Sequence, residues 1–199
     1  AQFDDGIPPY SKGATMHVPT VRSLFVALVV ALSTAISVPA SAESKADLER
    51  NSRSALNKLV AKVPTAKTLN GKAVAVLVFP SITKAGFVVG GQYGEGVLWR
   101  GGKAVGYYST AGASYGLQAG AQKYGYAMFF MNENALNALN TAEGFEVGVG
   151  PSVVLVDEGM AKSLTTTTAQ NDIYALIFGQ TGLMAGVGIQ GNKITRINK

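Results

Sequence analysis

The sequence predicts an α+β fold, in which a curved antiparallel sheet closes into a barrel or sandwich beside an amphipathic N-terminal helix and one or two short helices. Apolar residues recur at helical spacing between residues 48 and 63. After Lys72, short apolar segments alternate with turn residues about every ten positions, as in antiparallel sandwiches and barrels. Twelve glycines fall within the forty residues from Gly86 to Gly125, and strand glycines let a sheet bend sharply or another group approach closely.

Residues 16–42 have the three parts of a secretory signal peptide. A basic start that contains Arg22 precedes an apolar run over residues 24–32, and the small residues Ala40 and Ala42 stand before the expected cleavage point. We therefore expect cleavage near Ala42 and a mature protein in the periplasm or outside the cell.

The rest of the chain divides into a short tail and one domain. Residues 1–15 show no apolar periodicity and are expected to be a tail or a start site placed too early, whereas residues 43–199 are expected to form a single domain. An alternative keeps residues 21–38 as an uncleaved membrane anchor, since their length approaches the roughly 20 residues that span a bilayer. Polar residues within this stretch and Pro39 beside it favour cleavage.

The composition closes most of the usual routes to catalysis. The chain has no cysteine, and its one histidine, His17, lies in the predicted leader. A serine nucleophile needs a base within reach, and the serine and lysine that lie close together in a predicted turn are Ser81 and Lys84. The Gly-x-Gly-x-x-Gly pattern at residues 186–191 is followed by only eight residues, too few for the helix of a dinucleotide site. We therefore predict a protein that is not an enzyme and has neither a metal site nor a cofactor.

Positive charge is concentrated in the first part of the domain. Residues 43–103 contain ten basic and four acidic residues, a net charge of +6. Residues 104–199 contain five basic and six acidic residues, a net charge of −1. Such asymmetry suggests an anionic partner, either a membrane or a nucleic acid, although a solvated face would show it as well. Residues 84–89 resemble an RNA-binding strand but lack its second aromatic residue, and secretion removes the usual target. We therefore expect an anionic phospholipid or membrane surface as partner, and no nucleic acid.

Residues 44–63 predict an amphipathic basic helix of about five turns. Ser44 is a candidate N-cap with Asp47 three residues later, and Pro64 is expected to end the helix. The apolar stripe consists of Leu48, Ala55, Leu56, Leu59 and Val63. Such a helix can dock on a core or lie on a membrane surface, and the pattern permits both.

Short strands follow the helix. Residues 73–79 lack polar alternation, which predicts a strand that is buried on both faces and ended by Pro80. Gly101 and Gly102 predict a tight hairpin turn, and Asn132 is expected to cap a short helix. The other predicted strands are residues 86–90, 96–100, 104–109, 114–122, 127–131, 146–156, 172–178, 182–190 and 193–197.

Three blocks of the sequence resemble the signature of the SYLF domain family. They are residues 79–98, residues 107–122 with 130–133, and residues 182–186, and the similarity runs from about Ser54 to residue 199. The signature positions in the first two blocks are Gly86, Phe87, Gly90, Gly91, Tyr93, Gly94, Gly96, Gly116, Gln118 and Gly120.

The resemblance implies a lipid-binding domain without a catalytic cycle. Eukaryotic members bind phosphoinositides and associate with actin, whereas bacterial members are secreted or lipoprotein-like. By this analogy, the basic residues that would face phosphate head groups are Lys45, Arg50, Arg53, Lys58, Lys62 and Lys84. Residues 179–181 are neutral where eukaryotic members tend to be basic, and actin is absent outside the cytoplasm, so we expect neither phosphoinositide selectivity nor actin binding.

Together these observations predict a protein that binds phospholipid at a bacterial cell envelope through its basic helix and glycine-rich sheet. An alternative is a structural or interaction protein of the envelope that engages a protein or host partner.

Overall fold

A computed structural model of the protein describes residues 43–140, 144–147, 151–156, 171–182 and 191–199, and for residues 87–89, 114–119 and 182 it describes the backbone alone. The helices are α1 (Lys45–Lys62), α2 (Pro64–Lys72) and α3 (Glu133–Ala138). The strands are β1 (Ala75–Arg100), β2 (Lys103–Phe130), β3 (Phe145–Glu146), β4 (Val153–Val156), β5 (Ile173–Gly182) and β6 (Lys193–Ile197). The predictions for residues 1–42 lie outside the described residues, as do residues 183–190 of the predicted strand over residues 182–190 and residues 183–186 of the third signature block.

Helix α1 begins and ends where the sequence predicts. Ser44 is its N-cap, and the backbone N–H of Asp47 donates to Ser44 Oγ at 3.2 Å. The helix ends at Lys62 with Val63 as its C-cap, and a second helix, α2, starts at Pro64. The prediction that Pro64 ends the first helix did not include this second one. Proline suits this first position because an N–H there would have no partner within the helix.

Among the described residues the sheet has six strands and is mixed, with the order β3-β6-β2-β5-β4, while β1 pairs with β2. It is curved, as predicted, and forms half a barrel rather than a closed one. Strands β4 and β5 run parallel, from Val153 opposite Ile173 to Val156 opposite Leu176, so the prediction of a purely antiparallel sheet is wrong at this pair. The predicted single strand over residues 146–156 is also wrong, because β3 pairs with β6 while β4 pairs with β5.

Two long strands replace most of the short strands that the sequence predicts. Strands β1 and β2 are 26 and 28 residues long, and the predicted turn at Gly101 and Gly102 joins them with φ angles of +54° and +76°. Pro80 does not end a strand but lies in a register shift between Phe79 and Ile82, where a residue without an N–H is tolerated. Glycine and proline therefore mark bends within long strands here and not the ends of short ones.

Glycines allow the two ends of β1 to lie against each other. A Cβ atom at Gly96 would be 2.7 Å from the carbonyl oxygen of Val78, and one at Gly94 would be 2.6 Å from the side chain of Ile82. Side chains of the protein's own core thus fill the space beside these glycines. The sequence left open whether the strand glycines bend the sheet or let another group approach. At Gly94 and Gly96 the approaching groups belong to the other end of the same strand.

Apolar side chains pack on both faces of the sheet. Val76, Val78 and Trp99 of β1 belong to the cluster beneath α1 and α2. Leu77 and Phe79 alternate with them along the strand and belong to a second cluster on the other face of the sheet. The predicted burial of this segment on both faces is confirmed.

Replacement of Gly96 by alanine is expected to lower the free energy of unfolding by about 1–3 kcal/mol, because the added methyl group would overlap the Val78 carbonyl. Gly71→Ala is the matched control. Gly71 lies in α2 with nothing within 4 Å of an added Cβ, so alanine there should stabilise the protein by roughly 0.5–1 kcal/mol. Urea unfolding measures both changes, and equal effects of the two substitutions would contradict the packing role of Gly96.

Two buried tyrosines should make the protein sensitive to alkaline pH. The Tyr124 hydroxyl donates to Gln92 Oε1 at 2.7 Å, and burial raises the pKa of Tyr124 from 10.0 to about 12. Burial also raises the pKa of Tyr126. The native state thus holds these protons more tightly than the unfolded chain, so their contribution to stability is complete below pH 10 and is lost as the pH rises towards 12.

We therefore expect the free energy of unfolding to fall as the pH rises from 10 towards 12, and Tyr124→Phe to show a smaller fall over the same range. Urea unfolding at a series of pH values measures the slope, and the phenolate absorbance reports ionisation. An identical slope in wild type and Tyr124→Phe would show that Tyr124 does not contribute.

Candidate functional site

Helix α1 is docked on the sheet. Leu48 and Ser52 are fully buried and Leu59 nearly so. Ser52 Oγ accepts a hydrogen bond from Trp99 Nε1 at 2.9 Å and donates one to the carbonyl oxygen of Val78 at 3.3 Å. Because Val78 and Trp99 come from opposite ends of β1, one hydroxyl group ties the helix to both.

Two of the predicted basic residues hold α1 against the hairpin. The guanidinium of Arg53 lies 4.0 Å from the centroid of the Trp99 ring and donates to the carbonyl oxygen of Gly102 at 2.7 Å. The ammonium of Lys45 lies 5.1 Å from the centroid of the Tyr107 ring. Both side chains stay exposed, but their charges already have aromatic partners within the protein.

Acidic residues offset part of the charge near the start of α1. The hydroxyl of Tyr107 donates to Glu49, and this hydrogen bond, with burial, raises the pKa of Tyr107 to about 12. Arg50 forms an ion pair with Asp47, whose pKa is lowered first by its hydrogen bond with Ser44 and then by Arg50. Exposed pairs of this kind contribute little to stability, and the Arg50 side chain remains 68% exposed.

Lys58 and Lys62 lie on the other flank of α1, one helical turn apart. Both are exposed, and among the described residues neither makes an ion pair. Side chains four residues apart on a helix are neighbours. The two lysines therefore form a compact pair of positive charges.

A groove of about 490 Å³ runs beside these lysines, and we call it the basic groove. Helix α1 provides one wall with Lys58 and Lys62, while the facing wall comes from Ser81 of β1 and Phe178 of β5. The remaining apolar lining consists of Ala55, Leu59, Val63 and Pro80. Gly125 makes room for the facing wall, because a Cβ there would be 2.4 Å from the Phe178 ring.

Lys84 does not join the exposed basic residues. It is 5% exposed, and its partner across the sheet, Gln122, is equally buried. Lys84 is therefore buried in this structure and is not presented to a membrane surface. Ser81 is exposed, so the serine and lysine considered for catalysis point to opposite faces of β1.

The signature positions lie along the curved hairpin. Tyr93 is 48% exposed, and its hydroxyl donates to Glu95 at 3.0 Å. Gly86 pairs across the sheet with Gly120. Gly90, Gly91, Gly94 and Gly96 are also in β1, while Phe87, Gly116 and Gln118 belong to residues described by their backbone alone. Where their contacts are described, the signature glycines shape the sheet.

Neither a metal-binding cluster nor a membrane-spanning helix is found among the described residues. Within the described ranges, no three histidine, cysteine, aspartate or glutamate side chains cluster so that they could hold a metal ion. None of the helices in that part of the chain is long and apolar enough to cross a membrane. We therefore take the basic groove as the candidate binding site.

These features define a domain in which a basic helix is docked on a curved sheet. The family model described as "Ysc84: Las17-binding protein actin regulator" matches residues 111–199. Ysc84 is the SYLF domain, so the match confirms the domain predicted from the sequence for this part of the chain. The first signature block, residues 79–98, precedes the matched range. A comparison with curated proteins finds no relative that matches.

The family is associated with lipid and actin binding and is not a known family of enzymes. This supports a non-catalytic binding function at the level of the family. The bacterial secreted branch and the location outside the cytoplasm stay predictions.

The sequence indicates the residues of one wall of the basic groove but not those of the other. Lys58 and Lys62 stand out by charge and helical spacing, whereas Ser81 and Phe178 belong to segments distant in the chain. Phe178 ends an apolar run just before Gly179, which has a φ of +62°. That apolar run predicts a strand but does not indicate which helix the strand approaches.

Ser52→Ala is expected to lower the free energy of unfolding by about 1–3 kcal/mol, because it leaves the buried indole N–H of Trp99 without an acceptor. The matched control is Ser54→Ala, since Ser54 is exposed on the same helix and its loss should change stability by less than about 0.5 kcal/mol. Urea unfolding with Trp99 fluorescence measures both, because Trp99 is the single tryptophan of the chain. Equal stabilities of the two variants would contradict the anchoring role of Ser52.

Proposed function

We propose that this protein binds anionic phospholipid surfaces at a bacterial cell envelope, without catalysis, through the exposed basic side chains of α1. The observation that carries the proposal is the exposure of Arg50, Lys58 and Lys62 on a helix whose apolar face is already buried against the sheet. Helix α1 therefore binds as part of the folded domain, by charge, and does not need to insert its apolar stripe into the bilayer.

The expected strength follows from the charges. Each lysine or arginine near an anionic membrane surface contributes about 1 kcal/mol. Arg50, Lys58 and Lys62 together would supply about 3 kcal/mol, or on the order of 100-fold in affinity. Because these side chains are exposed, salt screens their attraction to the membrane, with a Debye length of about 8 Å at physiological ionic strength. Binding should therefore weaken as the salt concentration rises.

The proposed location follows from the predicted leader. Cleavage near Ala42 would release residues 43–199 into the periplasm or outside the cell, where the protein would meet anionic phospholipid. The family is associated with lipid and with actin, and of these two only lipid occurs in that compartment. We therefore assign the lipid part of the family's association to this chain.

Neutralising Arg50, Lys58 and Lys62 together to glutamine is expected to weaken binding to phosphatidylglycerol-containing vesicles on the order of 100-fold. Arg53 is left unchanged because it packs on Trp99. Vesicle co-sedimentation at low and high salt measures the effect.

The matched control removes the same charge elsewhere, at the exposed residues Lys123, Lys193 and Arg196. This control should bind nearly as tightly as the wild type. Equal losses of affinity in both variants would show that binding depends on net charge and not on α1. Equal binding of the wild type to neutral and anionic vesicles, unaffected by salt, would refute the proposal.

Engagement of a protein partner at the envelope is the second candidate function, because the description of the matched family names binding to a protein. Tyr93 and Val105, which are 48% and 45% exposed, would be available for such a contact. Native mass spectrometry after gentle extraction separates the candidates. Co-purified protein without lipid would favour this second function.

A further inference from the structure

We infer that the basic groove holds the alkyl chain of a single-chain phosphate monoester, with the phosphate group at Lys58 and Lys62. This inference rests on the proposed function and deepens it. A charged surface recognises head groups in a bilayer, whereas the groove would take up one lipid molecule.

The lining of the groove points to a hydrocarbon chain. Leu59, Ala55 and Val63 of α1 face Pro80 and Phe178 across the groove. Its volume of about 490 Å³ falls within the roughly 300–1,000 Å³ of pockets that enclose small ligands. Attraction to a charged surface requires only exposed cations, so it gives no reason for an apolar cleft directly beside them.

The facing wall is held in place before any ligand binds. The Phe178 ring lies over Gly125, where no side chain intervenes, and Ser81 lies beside Pro80 within the register shift between Phe79 and Ile82. On the opposite side, Leu59 is 5% exposed and anchors α1. A preformed groove avoids the ordering cost that a mobile one would add to binding.

The charge of the rim selects the head group. A phosphate monoester carries about −1.5 to −2 charges at pH 7 and can neutralise both lysines, whereas a carboxylate neutralises only one. The hydroxyl groups of Ser54 and Ser81 also line the groove and can donate to phosphate oxygens. Glu43, an acidic residue of the lining, accepts a hydrogen bond from Asn51.

Calorimetric titration of the full chain with monomeric dodecyl phosphate, in the absence of vesicles, tests the inference. We expect one site, with affinity that rises about fourfold per added methylene from octyl to dodecyl phosphate, which corresponds to about 0.8 kcal/mol for each buried methylene. Tridecanoate, with the same twelve-carbon alkyl chain and a single charge, should bind more weakly. Affinity that is independent of chain length would overturn the inference.

Two substitutions fill the groove without changing its charge. Ala55→Phe and Ser81→Phe should each weaken dodecyl phosphate binding at least about tenfold, since they occupy the space of the chain. The matched control is Ala61→Phe, because Ala61 is exposed on α1 and is not part of the groove lining. Trp99 fluorescence confirms folding, and Ser81→Phe, at an exposed position, keeps the test valid if Ala55→Phe fails to fold. Unchanged binding by a folded groove variant would overturn the inference.

The same variants separate this inference from the surface-binding proposal. Ala55→Phe and Ser81→Phe keep every charge, so they should still bind anionic vesicles while they lose dodecyl phosphate. Arg50→Gln, which lies outside the groove, should weaken vesicle binding about fivefold and leave dodecyl phosphate binding unchanged. If the wild type bound vesicles but not dodecyl phosphate, the groove assignment alone would fall. If it bound dodecyl phosphate but no vesicles, only the surface proposal would fall.

Discussion

The close contact between the two ends of β1 is the constraint on which the rest of the structure depends. Gly96 brings the backbone of the strand against Val78 and Phe79 with no room for a side chain. This approach places the Val78 carbonyl and the Trp99 indole near enough for Ser52 to bond to both. Helix α1 is thereby oriented so that Lys58 and Lys62 stand opposite Ser81 and Phe178. A curved strand thus determines where a pair of surface charges lies.

The basic residues of α1 divide into two groups with different physical roles. Arg53 and Lys45 stack on aromatic rings and help to attach the helix to the hairpin. Lys58 and Lys62 have no such partners among the described residues and remain available to an external anion. A count of positive charges treats all of these side chains alike. A charge that already has a partner within the protein, however, contributes less to the attraction of an anionic membrane. The candidate site is therefore defined by the flank of α1 on which the cations without aromatic partners lie, and not by the net charge of the helix.

The family similarity and the candidate site cover different parts of the chain. Residues 111–199, which match the family model, include most of β2 and the Phe178 wall of the groove. Helix α1, which supplies the charges, precedes that range. The family match therefore covers one part of the sheet and neither β1 nor α1, and a shared fold does not by itself fix the function of the side chains it positions.

The sequence by itself determined the features that depend on near neighbours in the chain: the Ser44 cap and the length of α1, the Gly101–Gly102 turn, the helix capped by Asn132, and the burial of the first strand on both faces. Each arises from spacing, capping or backbone preference within a few residues. Only the tertiary structure decided that Pro80 lies within a long strand, that β4 runs parallel to β5, that Lys84 is buried, and that Phe178 faces Lys58 across a groove. A glycine or proline produces the same local pattern at a turn and at a bend, and strand pairing and sidedness depend on contacts between residues far apart in sequence, whose energies no local pattern contains.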